Sequence, residues 1–239
     1  MTTDIGSSRA LNATVGMLAV GASAWLVARG VLALSDQPMG PWLIARAGGL
    51  TSYLLLVALV CTGLVLSHPW RARITRPSTA SRLRIHAALA SGTLVFTVLH
   101  IVALAVDVHA HVGWQGVLLP LASDYRPVPV TLGVIGLYAG LVAGLTASMA
   151  GRLAARIWWP VHKAAAISLV LVWGHSVLAG SDTPALLALY IGTGVLVLAL
   201  AVSRYVARTS ADRVAAVAGA AQPTTTDLHV VDPQRRAAS

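Results

Sequence analysis

The chain has 239 residues, 56% of them hydrophobic and 10% charged, with a mean hydropathy of +0.76. Soluble domains carry about 25% charged residues, so a soluble globular domain is excluded and an integral membrane protein is expected. The charge of +9, from sixteen Arg, one Lys and eight Asp with no Glu, then reads first as the basic excess that orients a membrane protein, not as a nucleic-acid footprint.

Six apolar runs are each near the ~20 residues that cross a bilayer: 12–34, 43–66, 84–106, 131–150, 161–180 and 184–203. The first follows a short polar N-terminus, 1–11. The Ala33-Leu34-Ser35 triplet after it has the look of a signal-peptidase site. However, the run is long for a signal sequence and Arg9 is its only basic flank, so an uncleaved span is expected. The second run contains Cys61, the only cysteine, which cannot form an internal disulfide.

The connections sort by charge. Arg71, Arg73, Arg76 and Arg82 cluster between the second and third runs with Arg84 just beyond, Arg152 and Arg156 lie between the fourth and fifth with Lys163 just inside the fifth, and Arg204, Arg208 and Arg213 follow the sixth. The alternate connections hold only Arg126. The basic excess marks the cytoplasmic side, which puts both termini there. Trp42 and Trp114 fall at the outer boundary and Trp70, Trp158 and Trp159 at the inner one, as an aromatic belt would. The fold class expected is therefore an all-α integral membrane protein of six transmembrane helices, with N- and C-termini cytoplasmic.

In the fourth run Gly136, Gly140 and Gly144 form one stripe, suited to close helix packing or to a flat cofactor, packing being the plainer reading. From 204 to 239 the composition turns to Ala, Thr, Asp, Pro and Gln, which reads as a largely disordered cytoplasmic tail. No GxGxxG or phosphate-binding loop occurs.

The third run, LRIHAALASGTLVFTVLHIVALAV, carries His86 and His100, fourteen residues apart. On a helix that is roughly 21 Å along the axis and within about 40° in azimuth. The fifth run carries His162 and His175. Ionisable groups are expensive in lipid and default to a functional reading. Both runs cross in the same direction, so depth pairs His86 with His162 near the cytoplasmic face and His100 with His175 near the outer face. Facing imidazoles can take both axial positions of a haem iron, so two pairs fit a bundle holding two haems. Zinc wants three or four ligands at one point, and each depth offers only two. Four unrelated packing histidines are the plain alternative. The spacing of thirteen in the fifth run leaves about 140° between its two side chains. Either a local irregularity such as a π-bulge or approach from two azimuths would reconcile it.

The 14/13 pair of spacings, on the third and fifth of six spans, resembles the ferric reductase-like transmembrane domain. That family includes the haem core of ferric reductases, NADPH oxidases and the haem subunit of the periplasmic methionine sulfoxide reductase system. The likeness covers roughly residues 40–180 and extends to Trp158, four residues before His162, and to Arg46 in the segment ARAGGL. It implies two b-type haems with His86, His162, His100 and His175 as axial ligands of the iron, and electron transfer from a cytoplasmic-side donor to an extracytoplasmic acceptor. The acceptor would be a ferric chelate or a periplasmic redox partner. The larger members append an FAD and NADPH domain, whereas this chain ends after its tail. The donor is thus expected to be a separate flavin-bearing protein or a quinol. The NADPH oxidases carry another histidine where this chain has Leu104, which argues against superoxide production.

Around the ligands, Arg46 near the outer pair and Arg84 and Lys163 near the inner pair are expected to meet haem propionates, against the alternative of snorkelling or topology alone. Arg29 is expected to snorkel. Ala90, Thr93 and Thr97 share the ligand face of the third run and leave room for porphyrin edges; Phe96 and Trp173 are candidates for a place between the cofactors. Asp107, His109 and His111 form a weak outer-loop pattern for capturing a metal such as ferric iron, and His68 and His229 have no evident partner. The expected setting is a cell membrane, a bacterial inner membrane, with lipid and redox proteins as partners. The rival reading is a small transporter or scaffold whose histidines relay protons or pack. Proton relays also use acidic residues inside the spans, and these spans lack them.

Overall fold

The computed structural model describes residues 39–149, 160–163 and 165–220, with scattered positions between 22 and 37. Most of the 12–34 run lies outside the described residues, as do the 1–11 segment, Arg152, Arg156, Trp158, Trp159 and His229. The described residues are helical, without strands, and include five helices long and apolar enough to cross a membrane. This is the fold of a multi-pass membrane protein.

Helix α1 is Gly40–Leu66, α2 Thr79–Val106, α3 Gly113–Leu118, α4 Pro127–Ser148, α5 Ala165–Ala179 and α6 Thr183–Ala220. Residues 160–163 are helical and lead into α5. Local chemistry sets the boundaries. Helices α1 and α4 each start with proline in the first turn, where the missing N–H costs no bond. Ser78 caps α2 by accepting from the Ser81 N–H. His68, for which the sequence suggested no partner, caps the short 3-10 helix Pro69–Arg73: its Nδ1 accepts from the Trp70 N–H at 3.1 Å.

Chain direction alternates, so the loops fall into two sets. At the arginine-poor end, Arg46 of α1 is ion-paired with Asp182 in the α5–α6 turn. There too Tyr125 and Arg126, just before α4, donate to the carbonyls of Ala179 and Leu178. At the arginine-rich end, Arg204 of α6 donates from Nε to the Ser67 hydroxyl at 2.9 Å. Arg82 is buried there and ties the loop down through Ile74 O and Thr79 Oγ1.

Helix α2 packs along α1, and α5 along α4, while α1 and α6 join the two hairpins. Tyr53, Leu56 and Val57 of α1, Leu169 of α5 and Tyr190 of α6 form that junction. Apolar side chains such as Val95, Val142, Val170 and Leu198 are exposed away from the interior cavity, as a lipid-exposed surface requires. Helix α6 has 38 residues, about 57 Å of helix against a bilayer core of about 30 Å. Its helix therefore continues through 204–220, a stretch whose composition suggests an irregular tail. Residues beyond 220 lie outside the described set.

Candidate functional site

The four span histidines converge in two pairs. The ring centres of His86 and His162 are 6.3 Å apart, and so are those of His100 and His175. The ring planes cross at 71° and 76°. A metal–imidazole bond is about 2 Å, and a ring nitrogen lies roughly 1.1 Å from its ring centre. One metal held linearly between two imidazoles thus sets the centres about 6.2 Å apart. A direct N–H···N hydrogen bond of about 2.9 Å would set them roughly 5 Å apart. The observed 6.3 Å in both pairs matches the first value and also falls within the range of edge-on ring contacts.

Each ring is anchored from behind. His100 Nδ1 donates to the Ala45 carbonyl at 2.6 Å, His175 Nδ1 to the Pro129 carbonyl at 2.9 Å and His162 Nδ1 to the Ala143 carbonyl at 3.4 Å. His86 Nδ1 meets the Thr62 hydroxyl at 3.0 Å, and that hydroxyl gives its own proton to the Leu59 carbonyl at 2.8 Å. Thr62 therefore accepts from His86. These partners fix the protonated atom as Nδ1 and leave Nε2 with its lone pair, the state a metal ligand requires.

The supporting helices explain how the rings reach these carbonyls. A helical Cβ leans toward the N-terminus, so the Cβ at i+4 overhangs the carbonyl at i. Four residues after Ala45, Leu59 and Pro129 stand Gly49, Gly63 and Gly133. A Cβ there would lie 2.8 Å from His100 Nδ1, 3.2 Å from His86 Cε1 and 2.8 Å from His175 Nδ1. The fourth position, after Ala143, is Ala147. Gly49 and Gly63 are fourteen apart, like His86 and His100, a signal present in the sequence but not used there. The Gly136–Gly140–Gly144 stripe has mixed roles. Gly136 and Gly140 sit against Val172 and Ser168 of α5, while a Cβ on Gly144 would meet nothing within 4 Å.

Both pairs open onto one cavity of about 1560 Å³ between the α1–α2 and α4–α5 hairpins. Small-molecule sites run roughly 300–1,000 Å³, so this one has room for more than one bulky planar group. Ala90, Thr93 and Thr97 line it, as the ligand face of α2 suggested. Its cations stand at the two ends, Arg46 at the arginine-poor end and Lys163 and Arg204 at the other. Arg46 already has a partner in Asp182, which the sequence reading did not foresee. Arg204 was read only as a topology signal, and nothing in the sequence singled it out. Arg84 is exposed and is not brought to the cavity wall. Neither Phe96 nor Trp173 lines the cavity; Trp173 instead ties α5 to α6 by donating to the Tyr190 carbonyl. Leu104 does line it.

The 13-residue spacing from His162 to His175 of α5 shows no π-turn among the described residues, with Ala164 outside them, and both rings still reach their partners. No group of three or more His, Cys, Asp or Glu converges among the described residues. Asp107, His109 and His111 of the outer loop do not converge on one point; Asp107 uses Oδ2 to accept from the backbone N–H groups of His109 and Ala110. Comparison with family profiles, with curated proteins and with solved structures finds no match to the chain.

Proposed function

We propose that the chain is a di-haem b-type transmembrane electron-transfer protein. In this reading the arginine-rich end is cytoplasmic, and the protein carries electrons from a donor on that side to an extracytoplasmic acceptor. The observation that carries the reading is the equality of the two gaps. Two histidine pairs, each 6.3 Å between ring centres, are held at opposite ends of one cavity by Nδ1–H bonds.

The residues fit the group. His86 and His162 would hold the inner haem iron through Nε2, and His100 and His175 the outer one. Bound haem supplies one-electron chemistry at its iron, with the axial ligands setting the potential. The chain's own part is to hold both rings of each pair against rotation, to fix their tautomer and to keep water from the gap with apolar walls. Arg46 outside and Lys163 with Arg204 inside are placed to meet carboxylate groups at the ends of the cavity. The donor in this reading is a flavin-bearing protein or a quinol. The acceptor is a ferric chelate or a periplasmic redox partner, as in the ferric reductase-like proteins that the histidine spacing resembles. The setting is a bacterial inner membrane.

Expression with ample haem and purification in detergent tests this. The expected result is two haems per chain with the low-spin absorption spectrum of bis-imidazole iron. Replacing His100 or His175 should remove one haem and leave the other, and replacing His86 or His162 should do the converse. A colourless protein overturns the reading and favours histidines that pack or relay protons.

A further inference from the structure

The two histidine pairs are built alike but not anchored alike. Both rings of the His100–His175 pair donate to main-chain carbonyls, at 2.6 and 2.9 Å. In the His86–His162 pair one bond is long, 3.4 Å from His162 to Ala143, and the other ends on a side-chain hydroxyl, Thr62. The Leu59 carbonyl, fourteen residues after Ala45, is also within hydrogen-bonding reach of the His86 ring, so His86 shares its anchor between a carbonyl and a hydroxyl. The Thr62 hydroxyl engages both, meeting His86 Nδ1 at 3.0 Å and giving its proton to the Leu59 carbonyl at 2.8 Å.

The acceptor behind a ligating imidazole tunes the metal. A stronger acceptor draws the Nδ1 proton away, makes Nε2 more basic and stabilises the ferric state. A hydroxyl is a weaker acceptor than an amide carbonyl, so it favours the ferrous state by comparison. Charge acts in the same direction. Lys163 and Arg204 stand at the end of the cavity near His86 and His162, and nearby cations favour the less positive, reduced centre. At the other end Asp182 offsets the charge of Arg46.

We infer that Thr62 is a positioning residue that makes the His86–His162 site the higher-potential of the two, so that at equilibrium an electron resides at the inner haem. This rests on the two-haem reading. It gives the path a direction of its own: electrons settle toward the arginine-rich end unless the donor, the acceptor or the membrane potential draws them outward.

Spectroscopic redox titration of the purified holoprotein tests it. Wild type should titrate in two resolved steps. Thr62→Ala, which leaves His86 the Leu59 carbonyl as its sole anchor, should move the upper midpoint downward and leave the lower one in place. Thr62→Ser should restore the wild-type curve. An unmoved upper midpoint, a rise or an equal shift of both overturns the inference. Single-haem variants give an independent measurement. His100→Ala, keeping the inner haem, should titrate at a higher potential than His86→Ala, and the reverse order also overturns it. A wild-type protein without haem would instead defeat the two-haem reading itself.

Discussion

Gly49 lies directly against the His100 imidazole: a Cβ on Gly49 would stand 2.8 Å from Nδ1, the atom that binds the Ala45 carbonyl. Backbone and ring leave no slack on either side, so Gly49→Ala must push the ring off its anchor. Outer-shell partners of this kind are worth about 10–100-fold in affinity for the bound metal group. Gly49→Ala, and Gly133→Ala against His175, should therefore lose the outer haem while the inner one is retained, read as haem per protein. Gly192→Ala on α6, away from the cavity, meets nothing within 4 Å. It should keep both haems and gain roughly 0.5–1 kcal/mol of helix stability. Equal haem loss in all three variants would show that the ring contact is not what the glycines at 49 and 133 provide.

The Arg46–Asp182 pair ties the start of α1 to the α5–α6 turn through two guanidinium nitrogens and both carboxylate oxygens. Its side chains are 37% and 41% exposed, so solvent screening holds its contribution to about 0.2–1 kcal/mol. Asp182→Asn should lower the melting temperature of the detergent-solubilised protein slightly at low salt, and the difference should shrink at high salt. The unpaired Arg46 should then raise the midpoint of the outer haem more than that of the inner one. A large loss of stability would place the pair in a drier environment than its exposure indicates.

Tyr53 is the largest fully buried side chain among the described residues. Its hydroxyl meets Thr193 of α6 at 2.5 Å, and its ring stands edge-on to Tyr190 at 5.3 Å. Tyr53→Phe removes one hydrogen bond, about 0.5–1.5 kcal/mol, and Thr193 keeps its bond to the Leu189 carbonyl. The expected outcome is a small drop in thermal stability with an unchanged haem spectrum. Tyr53→Ala should cost about 3–5 kcal/mol by leaving a cavity between α1 and α6. A changed spectrum in Tyr53→Phe would mean that this hydroxyl also acts on the cofactor site.

The membrane class and five of the spans follow from the sequence, because each apolar run must be long enough to cross lipid and each helix satisfies its own backbone. The depth pairing of His86 with His162 and of His100 with His175 was legible for the same reason: rise per residue is fixed, so sequence distance becomes depth. Long-range partners were not legible. Arg46 is an isolated cation in the sequence, and its partner Asp182 lies 136 residues away. Phe96 and Trp173 fall within apolar runs whose orientation only packing decides. The anchoring of the rings was half-written: Gly49 and Gly63 repeat the histidines' spacing of fourteen. A glycine in a membrane helix has many uses, however, and only the approach of α2 to α1 shows that this one clears a carbonyl for a ring. The same holds for Thr62. Sequence by itself determined that four imidazoles stand at two depths. The tertiary structure decided which atom each ring is tied to, because that depends on helix faces meeting at distances no local pattern encodes.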